Sequence, residues 1–102
     1  MDFDDLIISP DGTHHLYEGT PIYEHRFQSV GPFCFPGLAA VCDNTGAYHI
    51  NLLGEPAYDE RYVWAGNFSE GVALVRNKEG RYLFIDEAGK PIAFETYLYA
   101  TG

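Results

Sequence analysis

The feature that most constrains this chain is that it repeats itself. Gly31, Phe33, Gly37 and Val41 find counterparts in Gly66, Phe68, Gly71 and Val75 at an offset of about 35 residues. Gly46 and Tyr48 align with Gly80 and Tyr82, and one inserted residue then brings Ile50, Gly54 and Pro56 onto Ile85, Gly89 and Pro91. Tyr62 meets Tyr97, and Trp64 meets Tyr99. The pattern also runs backwards: Gly19, Pro21, Tyr23, Phe27 and Gly31 precede Gly54, Pro56, Tyr58, Tyr62 and Gly66 by one period. Gly12 answers Gly46, and the "HH" of 14–15 sits where "HI" sits at 49–50. We read one domain over 1–102 with three copies, at about 1–31 (partial, lacking the opening "F..GLA"), 32–66 and 67–102.

Each copy offers three strand-like pieces. The first is "GLAAVCD" or "GVALVRN", and the second is "AYHINL" or "RYLFIDE". The third is "PIYEHRFQSV", "PAYDERYVWA" or "PIAFETYLYA". Short runs rich in Val, Ile, Tyr and Phe, bounded by Gly, Pro, Asn and Asp, read as strands. "DNTG" and "NKEG" predict hairpin turns in which Gly takes positive φ. "LLGEP" and "EAGKP" predict a second turn, with Pro opening the next strand, where its missing N–H costs least. Leu38–Cys42 and Tyr82–Ile85 are continuously apolar, as in strands covered on both faces. The third piece carries the most charge and is expected nearer solvent. Tyr58, Tyr62 and Ala65 also fall at helical spacing, which leaves a turn of helix as the alternative there. The expected fold is all-β: three antiparallel repeats of roughly 35 residues, built from short strands and hairpins, as a stacked or partly closed sheet.

"F-x-x-G-V-A-x-V" at 68–75, Gly80, Tyr82, "ID" at 85–86 and Gly89 resemble the WG repeat family, also called KWG repeats. The earlier copy shows the same order in "GLAAV" at 37–41, Gly46, "YHIN" at 48–51 and Gly54. The resemblance covers nearly the whole chain, although "RYL" at 81–83 and "AYH" at 47–49 replace the family's "KWG" or "KYG". It implies antiparallel β-rich repeats used for interaction, with no catalytic residues to carry over. A weaker resemblance, of "GRYLFIDEAGKPI" to choline-binding cell-wall repeats, is the poorer match because those repeats are shorter.

Fifteen acids against six bases give a formal net charge of −9. That disfavours nucleic acid, whose phosphates call for clustered Lys and Arg, and equally an anionic membrane surface. "MDFDDLIISP" is acidic where a secretion signal is basic, and its apolar run is short. A cytoplasmic location, with Cys34 and Cys42 as free thiols, is expected.

Chemistry is thinly advertised. His14, His15, His25 and His49 lack metal-ligand spacing, and adjacent strand residues face apart. His14 and His49 align, but Leu83 takes that place in the third copy, so ordinary surface or half-buried histidines are expected. Cys34 aligns with Ser69 and Cys42 with Arg76, so no nucleophile is repeated. The glycines recur at turns, and no phosphate-binding loop, opposed carboxylate pair or calcium loop is evident. Neither a metal nor another cofactor is expected.

The aromatics are the best candidates for binding: Tyr23, Tyr58, Tyr62, Trp64, Tyr97 and Tyr99 recur in the third pieces. Either they form the core between repeats, or they form an exposed ladder. The preferred function is a non-catalytic repeat module binding a protein or peptide. The alternative is carbohydrate or cell-wall binding through the ladder. Phe94, Tyr97, Leu98 and Tyr99 cluster apolar surface in the last segment, so a homodimer through matching edges is expected to cover it.

Overall fold

The computed structural model describes residues 3–92. After a 3-10 turn at Phe3–Asp5 come β1 (Leu6–Ile8), β2 (His15–Tyr17), β3 (Thr20–Pro21), β4 (Ser29–Cys34), β5 (Leu38–Asp43), β6 (Gly46–Ile50), β7 (Trp64–Ala65), β8 (Ala73–Arg76) and β9 (Tyr82–Ile85). They make three antiparallel three-stranded sheets, each in chain order: β1-β2-β3, β4-β5-β6 and β7-β8-β9. None closes into a barrel. The fold is all-β, one sheet to each repeat. Its extents of 50 × 28 × 19 Å and radius of gyration of 14.4 Å describe an elongated body, since a compact domain of this length has about 13 Å.

Turn chemistry sets the hairpins. Asp43 accepts the Thr45 amide (2.8 Å), and Gly46 follows at φ +130°, so β5 turns into β6 with two residues between them. In the next copy Asn77 accepts the amides of Glu79 (3.0 Å) and Arg81 (2.9 Å), and the turn is one residue longer, closed by Asn77 N–H to the Arg81 carbonyl (2.9 Å). The inserted residue therefore lies before Tyr82, not after it. Tyr48 pairs with Val41, whereas the residue paired with Val75 is Leu83. A slip of one residue exchanges the two faces of a strand. Tyr48 is buried and Tyr82 is exposed.

One apolar core runs through the copies, with Phe33, Val41 and Ile50 in one repeat answered by Phe68, Val75 and Ile85 in the next. In β5, Leu38, Ala39 and Val41 are buried, and Ala40 and Cys42 half-buried, as its unbroken apolar run predicts. Pro56 and Pro91 form single bridges to Ile50 and Ile85, at edges where no N–H is needed.

The third pieces of the first two copies are not single strands, and that of the third copy lies outside the described residues beyond Ile92. Past the proline, the chain curls around an arginine before entering the next sheet. One guanidinium nitrogen of Arg26 donates to the carbonyls of Tyr23 (3.1 Å), Glu24 (2.9 Å) and His25 (2.9 Å). Arg61 does the same with Tyr58 (3.3 Å), Asp59 (3.0 Å) and Glu60 (3.1 Å). Three consecutive carbonyls turned toward one cation belong to neither a strand nor a helix, so the helical alternative is not what forms. Among the described residues, the first copy shows no counterpart of the leading strands β4 and β7, but Leu6–Ile8 does occupy the next strand position.

Candidate binding surface

The described tyrosines of the expected ladder serve the core. Tyr23 (8% exposed), Tyr58 (7%) and Tyr62 (7%) are buried. Tyr97 and Tyr99 lie outside the described residues, as do Phe94 and Leu98 of the apolar terminal segment. Tyr23 and Tyr58 each belong to a buried clasp. The Tyr23 hydroxyl donates to His15 Nδ1 (2.6 Å), and His15 Nε2–H donates to the Gly31 carbonyl (2.7 Å). Tyr58 and His49 repeat this at 2.6 Å, and His49 reaches the Gly66 carbonyl at 2.7 Å. A carbonyl only accepts, which fixes the proton on Nε2 and leaves Nδ1 to accept. Phe33 and Phe68 lie against the imidazoles, 4.4 and 4.5 Å between ring centres.

Register and clasp together pair His15, not His14, with His49, and place Phe84 at the same point in the third copy. His14 instead meets Thr13 Oγ1 at 2.8 Å on a half-exposed turn. Burial lowers the pKa of His15 and His49 and raises Tyr23 to about 12 and Tyr58 further. These are neutral groups with both ring nitrogens engaged, and each joins the hairpin of one repeat to the start of the next.

Two carboxylates hold turns in the same manner. Asp11 accepts from Ser9 and Thr13, which lowers its pKa to about 2. Burial opposes ionisation of Asp43, but hydrogen bonds from Thr45 and Tyr48 outweigh it and leave the pKa lowered. Cys34 and Cys42 are free and half-buried. Among the described residues, no group of three or more His, Cys, Asp or Glu is placed to hold a metal ion.

Trp64 is the exception. Its indole is 48% exposed beside Tyr82, which is 61% exposed, with ring centres 6.4 Å apart at 71°. β-pairing creates this patch. Trp64 lies opposite Arg76, and Arg76 opposite Tyr82, so three strands line up one cross-strand row. Arg76 leans over the Tyr82 ring at 5.5 Å, and exposed Val63 borders the patch. The corresponding row one repeat earlier is Ser29, Cys42 and Ala47. Sequence reading singled out Trp64 but missed Val63, Arg76 and Tyr82. The signal available for Arg76 and Tyr82 was the change from small to large residues at matched row positions, hidden by aligning Tyr82 with Tyr48.

Fold and surface together define a class: an all-β tandem-repeat protein whose first two copies each carry a buried His–Tyr clasp and which, among the described residues, presents an aromatic row at Trp64 and Tyr82 to solvent. Residues 50–82, spanning β7, β8 and most of the adjoining turns, match the family model of the WG containing repeat. Over that third of the chain, the sequence is similar to a WG repeat. No curated protein and no solved structure matches it. No helix among the described residues is long and apolar enough to cross a membrane.

Proposed function

We propose that this protein is a non-catalytic module that binds a peptide segment of a protein partner at the Trp64 row. The observation that carries the reading is the pairing of exposed Trp64 with exposed Tyr82, while Tyr23, Tyr58 and Tyr62 are committed to the core. Exposed apolar surface that the fold does not use is where partners dock, and Trp, Tyr and Arg dominate the energetics of such contacts. The 71° angle between the two rings makes a corner that receives a side chain. Stacking of sugar rings along a ladder calls for a run of flat, open faces, so the carbohydrate reading ranks second. A reducing, cytoplasmic setting goes with this reading, because both cysteines are free thiols.

Trp64 is the chain's sole tryptophan, so its fluorescence reports on the site directly. Titration with peptides is expected to quench or shift the emission, and Trp64→Ala is expected to weaken binding by about tenfold or more with the fold intact. Retention on immobilised glycans without any peptide binding would favour the second reading. Global unfolding of Trp64→Ala would return Trp64 to the core and remove the site.

A further inference from the structure

Trp64 is a ridge between two recesses. On one side lies a groove of about 340 Å³ floored by Gly31, Ala40 and Ala47, with Ser29, Cys42 and Asn67 at its walls. On the other is a recess of about 300 Å³ bounded by Val63, Arg76 and Tyr82. Both volumes sit at the small end of the roughly 300–1,000 Å³ typical of ligand sites. The two recesses occupy the same place in successive repeats. Where one row reads Ser29, Cys42, Ala47, the next reads Trp64, Arg76, Tyr82. Small residues leave room in the first, and large ones build a wall in the second.

Charge differs between the two ends of this surface. The chain carries −9 overall, yet the segment 76–82 holds Arg76, Lys78 and Arg81 against one acid, Glu79. All three bases are exposed. Arg26 and Arg61, by contrast, each turn a guanidinium nitrogen onto three backbone carbonyls, whereas Arg76 gives only its Nε to one, that of Gly80 (3.3 Å). An acidic ligand is repelled by most of this protein and attracted at the third hairpin, so charge fixes where and in which direction it lies.

We propose that the site takes an acidic peptide segment bearing one large apolar side chain. The apolar side chain enters the groove floored by Ala40 and Ala47, against the Trp64 indole. Carboxylates on one flank of it meet Arg76, and Lys78 and Arg81 of the same hairpin add to the attraction at longer range. This rests on the preceding reading of Trp64 as a peptide site.

Three fluorescein-labelled synthetic peptides of equal length test it: Phe flanked by Glu, Phe flanked by Lys, and Ser flanked by Glu. The Glu–Phe peptide is expected to bind saturably, to quench Trp64, and to weaken as salt is raised. Each of the other two is expected to bind about tenfold more weakly or worse. Ser29→Trp, which fills the groove from an exposed position, and Arg81→Glu, on the exposed turn, are each expected to cost a similar factor while the circular dichroism spectrum is unchanged. If the Lys–Phe peptide binds as well as the Glu–Phe peptide, and Trp64→Ala abolishes both, the acidic ligand class is overturned while the Trp64 site stands. If the Glu–Phe peptide binds Trp64→Ala with unchanged affinity, the site itself is overturned. Absence of saturable binding by all three peptides overturns both.

Discussion

A tyrosine ring lies on each of two glycines. Gly54 has φ +79°, and an added Cβ would stand 2.8 Å from Tyr23 Cγ, inside any real contact distance. Gly89 faces Tyr58 in the same way. At matching φ (+82°), Gly19 has nothing within 4 Å of such a Cβ. This comparison separates two reasons for glycine. At Gly19 the backbone alone demands it, so Gly19→Ala is expected to cost about 1–2 kcal/mol, the ordinary strain of an L-residue in the left-handed region. At Gly54 the same strain is joined by collision with a buried ring, and Gly54→Ala is expected to cost about 1–3 kcal/mol more. Urea unfolding of the two variants measures the difference. Equal losses would mean that Tyr23 gives way freely and that the contact between repeats is soft.

At the level of elements, the connectors between sheets depend on one side chain each. Arg61 gathers the carbonyls of Tyr58, Asp59 and Glu60, donates through Nε to Thr45 Oγ1 (3.0 Å) and lies over the Tyr48 ring at 3.8 Å. A lysine has one ammonium and no planar fork, so it cannot make this set of contacts. Arg61→Lys is expected to cost about 1–3 kcal/mol. It is also expected to speed hydrogen exchange at Ala47 and Tyr62, whose amides pair across this connector at 2.7 and 2.9 Å. Unchanged exchange at those two amides would show that the curl holds without the arginine. From the sequence, Arg26 and Arg61 read as solvent charge within aromatic runs, which is why the connectors were expected as strands. The period, the Asx-and-glycine hairpins and the edge prolines were legible, because each is a backbone demand written as a residue type. Register was not. An extra residue inside a turn changes no hydrophobic pattern, yet it decides whether Tyr82 or Leu83 shares a face with Tyr48, and likewise whether His14 or His15 answers His49. With both slips undone, the one before Tyr82 and the one between Leu16 and Pro21, the Trp64 row and both His–Tyr clasps emerge from the same alignment.

Across the whole molecule, the two clasps couple folding to pH. His15 and His49 are fully buried, and burial holds both pKa values below the ordinary 6.5. In the unfolded chain both regain that ordinary value and take up protons that the folded chain refuses. When the unfolded state binds more protons, stability rises with pH. The contribution is therefore complete above about pH 7.5 and declines as pH falls through 6.5, by at most about 1.4 kcal/mol per pH unit for each histidine. Asp11 and Asp43 have the opposite shift relative to their charged form, and their stabilisation is lost only as pH falls below about 4, so it does not obscure this window. The third copy suggests the control, since it carries Phe84 where His49 stands in the second. In the double variant His49→Phe, Tyr58→Phe, an apolar pair replaces both partners of one clasp, leaving His15 as the remaining proton-refusing site. Urea unfolding between about pH 7.5 and 5 is expected to show a steep loss of stability in the parent chain and about half that slope in the double variant. The single variant Tyr58→Phe should keep the slope and lose about 1–3 kcal/mol at every pH, because it leaves His49 Nδ1 buried without a donor. A parent chain equally stable at both pH values would show that the buried imidazoles accept protons in place, and that the clasps open without unfolding the repeats they join.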